Sequence, residues 1–201
     1  MSSIYKKKHL RIKHGIPVFS SDDFYTKNYQ QISKDHVTHY EKYKKNPFMD
    51  PDYVKGLNSF TKTIVNKFLN KLNKNKKKLK ILDVGVGMGD ILATFNNCEK
   101  YGNDISFDYL KIAKKRGINC CFSKIENLPY KKNIFDIILC FDVLEHVFDL
   151  NVAIKKIVSS LKPDGYLIIR VPYKENLESY FYEDYPYEYV HLRNFDDLFN
   201  F

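Results

Sequence analysis

A carboxylate followed by three closely spaced glycines is the feature of this sequence best suited to hold a ligand. Residues 81–90 read ILDVGVGMGD, so an apolar run ends in an acid and three glycines follow at intervals of two. Because glycine loses more entropy on folding than any other residue, this density indicates a sharp turn that a ligand approaches closely. The following apolar residues predict a helix over 89–96, whose free N–H groups would attract an anionic group. The chemistry-bearing residues are Asp83, Gly85, Gly87 and Gly89.

The spacing of the glycines separates two classes of nucleotide-binding loop. The dinucleotide fingerprint Gly-x-Gly-x-x-Gly requires glycine where this chain has Asp90. The segment instead resembles motif I of the class I S-adenosylmethionine-dependent methyltransferases, an acid followed by x-Gly-x-Gly-x-Gly, and all four fixed places are filled. A glycine-rich turn in an unrelated α/β protein is the alternative. The resemblance implies that this loop holds the aminocarboxypropyl arm of S-adenosyl-L-methionine and that Asp83 orients the loop and the cofactor's amino group.

Two further segments resemble the same family at the ends of the next two predicted strands. In YGNDIS, the resemblance implies that Asp104 accepts the ribose hydroxyls; capping the next helix is its alternative role, for which Ser106 is better placed. In SKIENLPY, Lys124 stands where the family has an acid that accepts from the adenine amino group. Because lysine has no acceptor, adenine would depend on the Ile125 backbone and on apolar contacts with Ile105 and Ile125.

A fourth segment, residues 135–147, resembles the stretch Phe-Asp followed by Val-Leu-Glu-His-Val in small-molecule methyltransferases, including those of quinone biosynthesis. The resemblance implies that Cys140 and Phe141 lie beside the methionine part of the cofactor. His146 is the candidate catalytic base, since histidine titrates near neutral pH. The alternative is a histidine that packs on the following helix, and Glu145 is interpreted as structural.

Composition limits the class of protein. The 201 residues suffice for one core, and apolar content of 44% is ordinary for a globular chain. No apolar stretch approaches the roughly 20 residues that a membrane span needs. The four cysteines have no zinc-site spacing, so we expect reduced thiols, no metal and a cytoplasmic protein. Residues 1–80 hold 19 Lys and Arg against 6 Asp and Glu; because lysine dominates throughout, a solvated face is favoured over a nucleic-acid site.

The order of the elements predicts an α/β fold. Alternating strands (79–84, 99–103, 118–122, 134–140, 165–171) and helices (106–116, 150–161) predict a doubly wound, Rossmann-like, mostly parallel sheet with helices on both faces. The predicted divisions are a loose basic N-terminus (1–20), a helical cap (21–78) and the core (79–201). Since family members continue to two further strands, the last strand is expected to be an exposed edge, with self-association as a consequence.

The sequence therefore favours a methyltransferase that acts on oxygen, nitrogen or carbon of a small molecule. A degenerate cofactor-binding or scaffold member without turnover, and an RNA methyltransferase, are the alternatives. The acceptor is expected above the carboxyl ends of the strands, at the switch between the first and fourth. Two aromatic segments are candidates to cover it: one with Tyr25, Tyr29, His36, His39 and Tyr40, the other with Tyr173, Tyr180, Phe181, Tyr182, Tyr185, Tyr187, Tyr189, His191 and Arg193.

Overall fold

A computed structural model describes residues 4–43, 51–72, 78–174 and 191–195 of the chain. The strands are β1 (Arg11–Lys13), β2 (Ile16–Val18), β3 (Leu79–Val84), β4 (Cys98–Asp104), β5 (Asn119–Phe122), β6 (Phe135–Phe141) and β7 (Leu161–Arg170). The helices are α1 (Phe24–Tyr43), α2 (Pro51–Leu72), α3 (Phe107–Lys115) and α4 (Leu150–Ser160), with short 3-10 helices at Leu92–Thr94, Ile125–Asn127 and Leu144–His146. None of the helices described is long and apolar enough to cross a membrane.

The described strands form a seven-stranded sheet in the order β1-β2-β5-β4-β3-β6-β7. From β5 to β7 all neighbours are parallel, and β3 lies between β4 and β6. From β3 the chain continues to β4 and β5 on one side, and then to β6 and β7 on the other side. The boundary between β3 and β6 is therefore the switch point at which open α/β sheets bind ligands. This confirms the predicted doubly wound, mostly parallel sheet.

The two faces of the sheet are covered by different helices. Alternate residues of β3 point to opposite faces, so Ile81 packs with α2 and α3, whereas Leu82 and Val84 pack with α4. All three side chains are fully buried. Burial on both faces explains why these strands read as nearly continuous apolar runs in the sequence.

The N-terminal residues depart from the expected loose segment. β1 and β2 form an antiparallel hairpin, and β2 continues the sheet beside β5 through the parallel pair Val18 and Phe122. Ile16 and Val18 are completely buried. The strands are only three residues long, too short to show a period in the sequence, and their burial depends on the distant β5.

The helix predicted over 89–96 is wrong. The segment after the glycines turns and then forms only the 3-10 helix Leu92–Thr94. Its length is limited because β4 begins at Cys98 and Asn97 already has a left-handed backbone, with φ 58°. No α-helix dipole therefore points at the glycine loop, and the expected source of attraction for an anion is absent from this described segment.

Residues 162–165 read KPDG, a sequence typical of a turn, but they lie within β7. β7 runs from Leu161 to Arg170, and four of its residues bulge out opposite the single residue Asp136. Lys162 Nζ donates to Asp136 Oδ1 at 2.6 Å, which fixes the bulge to β6. The residue types typical of a turn therefore form a β-bulge here. Among the described residues β7 pairs with β6 alone, and self-association through this edge stays a prediction.

Candidate functional site

A pocket opens at the carboxyl ends of the four central strands, β3 to β6, where the loops that follow these strands lie side by side. The loops after β3, β4, β5 and β6 form its floor and walls, and α1 covers it. Its empty volume is about 640 Å³, including the open mouth. The lining residues are Tyr25, Tyr29, Gly85, Gly87, Asn103, Asp104, Ile105, Ser123, Lys124, Ile125, Glu126, Asp142, Val143, His146, Val147 and Phe148.

The glycine loop is hydrogen-bonded to the neighbouring strand, β4. Its first two glycines have different surroundings: the first is packed against protein and the second faces open space. The N–H groups of Gly85 and Val86 both donate to the carbonyl of Asn103, at 2.9 and 3.0 Å. Gly85 and Gly87 have left-handed backbones, with φ 70° and 52°. A Cβ on Gly85 would overlap the side chain of Val143, whereas a Cβ on Gly87 would meet no atom within 4 Å. Gly85 is therefore required for packing, and Gly87 faces the space open to a ligand.

Asp104 joins the glycine loop to the start of α3. Its Oδ2 accepts from the N–H of Gly87 and its Oδ1 from the N–H of Ser106, both at 2.9 Å. Burial raises the pKa of the Asp104 carboxyl to about 6, although these backbone hydrogen bonds favour the ionised form. A carboxylate has about four lone-pair positions, so Asp104 can still accept from a ligand hydroxyl. Ser106 Oγ accepts from the N–H of Tyr109, which confirms Ser106 as the helix cap.

The wall after β5 is tied to the helix that covers the pocket. Lys124 Nζ forms an ion pair with Asp23, directly before α1, and the Lys124 N–H donates to Ser20 Oγ at 2.9 Å. The cation that replaces the family's acid is thus engaged by an acid from the N-terminal segment. This contact lies at the start of α1, whose first two turns bring Tyr25 and Tyr29 to the pocket.

Two buried polar atoms in the pocket wall test whether a nucleoside fits there. Asn103 Oδ1 and the Tyr25 hydroxyl oxygen are shielded from solvent and have no hydrogen-bond partner within the described part of the chain. A buried polar group without a partner costs free energy of roughly 1–3 kcal/mol. Together with the open side of Gly87, these atoms fit a polar ligand better than an apolar one.

The predicted cofactor residues separate into two groups. Seven predicted site residues line the pocket: Gly85, Gly87, Asp104, Ile105, Lys124, Ile125 and His146. Four others lie outside its lining: Asp83, Gly89, Cys140 and Phe141. Burial, followed by the negative charge of Asp104, raises the pKa of Asp83 well above its ordinary value. A Cβ on Gly89 would overlap Ile118, so that glycine serves packing below the loop.

The last residues of β6 were predicted to line the pocket, but the residues that follow β6 line it instead. Cys140 is fully buried, and the ring of Phe141 lies under the guanidinium of Arg170 at 5.1 Å. Asp142 and Val143 face the pocket instead. The Asp142 carboxylate accepts from Arg170 Nε at 3.0 Å, and Arg170 Nη1 donates to Thr61 of α2. In the sequence, the acid Asp142 is the one hint that the residues after β6 face the pocket. Its partner, Arg170, lies far along the chain, so the sequence does not reveal the pair.

Of the two aromatic segments expected to cover the pocket, the N-terminal one supplies Tyr25 and Tyr29. His36 instead contacts the Tyr109 hydroxyl through Nδ1 at 2.6 Å, and His39 lies against Tyr43. Tyr40 is absent from the lining. From the other segment, Tyr180, Phe181, Tyr182, Tyr185, Tyr187 and Tyr189 lie outside the described residues, and Tyr173 is exposed.

His146 lies in the pocket wall between two aromatic rings. Its ring meets those of Tyr29 and His191 edge to face, with centroids 5.7 and 4.7 Å away. Glu145, directly before it, is only 1% exposed. The half-buried His146 therefore contributes an imidazole to the pocket wall.

Comparisons with known proteins agree with this geometry. The chain matches the model of a family described as methyltransferase domain over residues 75–191, more than half of its length. A structure from Thermotoga maritima, described as a SAM-dependent methyltransferase and possible histamine N-methyltransferase, superposes with a TM-score of 0.57 at 21% identity. The match covers 86% of this chain and 75% of that one, and it shows the shared fold.

Curated relatives match parts of the chain. An uncharacterized protein of Methanocaldococcus jannaschii is 37% identical over 145 residues, covering 69% of this chain and 61% of that protein. A ubiquinone biosynthesis O-methyltransferase of Rickettsia conorii is 35% identical over 109 residues, covering 49% and 37%. A tRNA (carboxymethyluridine(34)-5-O)-methyltransferase of Arabidopsis thaliana is 34% identical over 94 residues, covering 45% and 23%. The chain thus spans less than two thirds of these relatives, and on the family match it belongs to the class I S-adenosylmethionine-dependent methyltransferases.

Proposed function

We propose that this chain transfers the methyl group of S-adenosyl-L-methionine to a small-molecule acceptor. The observation that carries the proposal is the cover over the pocket. α1 lies across the carboxyl ends of the strands, with Tyr25 and Tyr29 in the lining and the Lys124–Asp23 ion pair at one end. A pocket covered in this way suits a small acceptor better than a macromolecular surface. The similarity to ubiquinone biosynthesis O-methyltransferases supports the same class of acceptor.

The cofactor supplies an activated methyl group on a sulfonium. We assign the ribose to Asp104, the aminocarboxypropyl arm to the open side of Gly87, and the adenine to Ile105 and Ile125, which line the adjoining wall. Transfer disperses the sulfonium charge, so the protein contributes mainly by placing the acceptor in line. Such placement is worth up to about 7–11 kcal/mol in favourable cases, and the cover provided by α1 reduces the access of water to the pocket.

For an oxygen or nitrogen acceptor, His146 is the candidate base because it is the imidazole in the pocket wall. The test measures methyl transfer from radiolabelled S-adenosylmethionine to a panel of phenols, amines and carboxylates. We expect turnover by the parent and its loss, by about 100-fold or more, in His146→Ala, with cofactor affinity unchanged. Cofactor binding by the parent without turnover on any acceptor would favour the scaffold alternative instead.

Cofactor affinity is expected to fall in mild acid. Burial raises the pKa of Asp104 to about 6, and the ribose hydroxyls require the ionised form as acceptor. Affinity should therefore be constant near neutral pH and weaken by roughly 10-fold per pH unit below about pH 6. Calorimetric titration between about pH 5 and pH 7 measures it. In Asp104→Asn the same profile should be flat, and an equally steep profile in that variant would assign the effect to another group.

Glu126 is our candidate for the acceptor that Lys124 does not provide to adenine. Its side chain lines the same wall of the pocket. Burial raises the pKa of the Tyr25 hydroxyl, and the negative charge of Glu126 raises it further. We expect Glu126→Ala to weaken binding of S-adenosylmethionine by about 10-fold, the loss of one hydrogen bond to a charged group.

The hypoxanthine analogue of the cofactor provides the control for this prediction, because it lacks the adenine amino group. The parent should bind it more weakly than S-adenosylmethionine, while Glu126→Ala should bind the two almost equally. If the variant discriminates as strongly as the parent, Glu126 does not receive the amino group.

RNA is the second candidate acceptor, because one relative is a tRNA methyltransferase and residues 1–80 carry most of the positive charge. Binding to RNA should then fall steeply with salt. Filter binding of total tRNA at low and moderate salt distinguishes the two acceptors. Tight, salt-dependent binding together with methylated tRNA would replace the small-molecule proposal.

A further inference from the structure

We propose that Glu145, His146 and His191 form a site for a transition-metal dication such as Zn²⁺ in the wall of the pocket. Each residue offers one ligand atom, and these atoms lie within 4.8 Å of one another. The inference rests on the proposed function, because it assigns the activation of the methyl acceptor to the metal. It also gives His146 the role of a ligand in place of a base.

The protein backbone brings the three residues together from two separate segments. Glu145 and His146 belong to the 3-10 helix Leu144–His146 that follows β6. The segment with His191 lies against this helix, since the Leu192 N–H donates to the Glu145 carbonyl at 2.7 Å. Arg193 Nη2 donates to the carbonyl of Phe148 at 3.2 Å on the other side. One backbone hydrogen bond and one from the Arg193 side chain therefore hold the His191 segment beside the other two ligands.

The separation of the ligand atoms is close to that of a metal site. Three atoms at the upper limit of 4.8 Å from one another would surround a point about 2.8 Å from each. Zinc bonds to imidazole nitrogen and carboxylate oxygen are about 2.0–2.2 Å long. Each ligand therefore needs to move by less than about 1 Å, which small side-chain rotations provide.

The donor atoms select the class of metal. Two imidazole nitrogens and one carboxylate oxygen suit Zn²⁺ and neighbouring first-row dications, whereas Mg²⁺ and Ca²⁺ prefer sites made of oxygen alone. Glu145 is 1% exposed, so its negative charge gains from a cation held beside it. His146 lines the pocket. A fourth coordination position on the pocket side is therefore available to an acceptor, as in catalytic zinc sites with three protein ligands.

The metal would activate a hydroxyl acceptor through its charge. Coordination lowers the pKa of the hydroxyl, and its proton passes to water. The oxygen lone pair then forms a bond to the methyl carbon while the carbon–sulfur bond breaks and its electron pair returns to sulfur. The products are a methyl ether and S-adenosylhomocysteine. No oxidant or reductant is involved, and no protein base is required.

Cobalt titration tests the site without any need for an acceptor. The full chain is treated with EDTA, and Co²⁺ is added while its visible absorption is recorded. We expect one Co²⁺ per parent chain with a spectrum of nitrogen and oxygen ligands, displaced by Zn²⁺ but not by excess Mg²⁺. His191→Ala and the isosteric Glu145→Gln should bind at least about 10–100-fold more weakly. His14→Ala, which removes an exposed histidine in the turn between β1 and β2, should bind like the parent.

Three outcomes would overturn the proposal: no Co²⁺ binding by the parent, equal binding by His191→Ala and the parent, or a spectrum of thiolate ligands. The last would assign the metal to buried cysteine thiolates. Calorimetry with S-adenosylmethionine on the EDTA-treated protein distinguishes failure of the metal-site proposal from failure of the proposed function. The metal-free parent should still bind the cofactor, since no ligand of the metal is assigned to the cofactor.

Discussion

Replacing Asp104 by alanine is expected to weaken the binding of S-adenosylmethionine severely. In our assignment the carboxylate accepts both ribose hydroxyls, and each hydrogen bond to a charged acceptor contributes roughly 1.5–3 kcal/mol. Losing two of them raises Kd by about 100-fold or more. The change also leaves the N–H groups of Gly87 and Ser106 without the acceptor they share. Calorimetric titration of the purified variant measures the affinity, and circular dichroism confirms that it folds.

Asp108 offers a matched control for this variant. It lies four residues further along, in the first turn of α3, where its carboxylate pairs with Lys111 at 2.6 Å on the surface. Exposed ion pairs contribute at most about 1 kcal/mol to stability, so Asp108→Ala should bind the cofactor like the parent. Asp104→Ala with the affinity of the parent would contradict the assignment of the ribose.

Adding one methyl group to Gly87 is expected to weaken cofactor binding strongly at a small cost in stability. A Cβ there meets no protein atom within 4 Å, but it occupies the space assigned to the aminocarboxypropyl arm. The left-handed backbone, φ 52°, costs alanine about 1–2 kcal/mol of folding free energy. We expect a rise in Kd of about 100-fold in Gly87→Ala, because the ligand must retreat from several backbone contacts.

Gly117 separates the strain from the loss of binding. It also has a left-handed backbone, φ 82°, and open space at its Cβ, but it lies after α3 and outside the pocket lining. Gly117→Ala should show a similar fall in the melting temperature with unchanged cofactor affinity. Gly85→Ala should differ from both, because its Cβ overlaps Val143 and the folded state itself is destabilised. Equal cofactor affinities of Gly87→Ala and Gly117→Ala would show that the glycine loop does not contact the cofactor.

The sequence predicts the central sheet and much of the pocket because both depend on local patterns. Buried parallel strands read as apolar runs, and acids or glycines directly after them must lie at one edge of the sheet. Gly87 and Asp104 were found in this way. Asp83 and Gly89 belong to the same motif but lie outside the pocket lining, since a motif shows which residues the loop requires and not which of them face the ligand.

Other features depend on contacts between residues far apart in the chain. The helix predicted after Gly89 fails because β4 begins too soon, a constraint imposed by the sheet and not by the apolar residues of the segment. The role of Lys124 becomes interpretable only when Asp23, about 100 residues earlier, is seen to pair with it. Likewise, the spacing rules for metal sites do not join His191 to His146, because the two approach through folding of separate segments.

A structure of the full chain with bound S-adenosylhomocysteine tests the central claim most directly. Our account predicts the ribose hydroxyls within hydrogen-bond distance of the Asp104 carboxylate, the amino acid arm over Gly87 and the sulfur on the side of His146. A nucleoside bound anywhere else on the chain, or no bound molecule at saturating concentration, would contradict it.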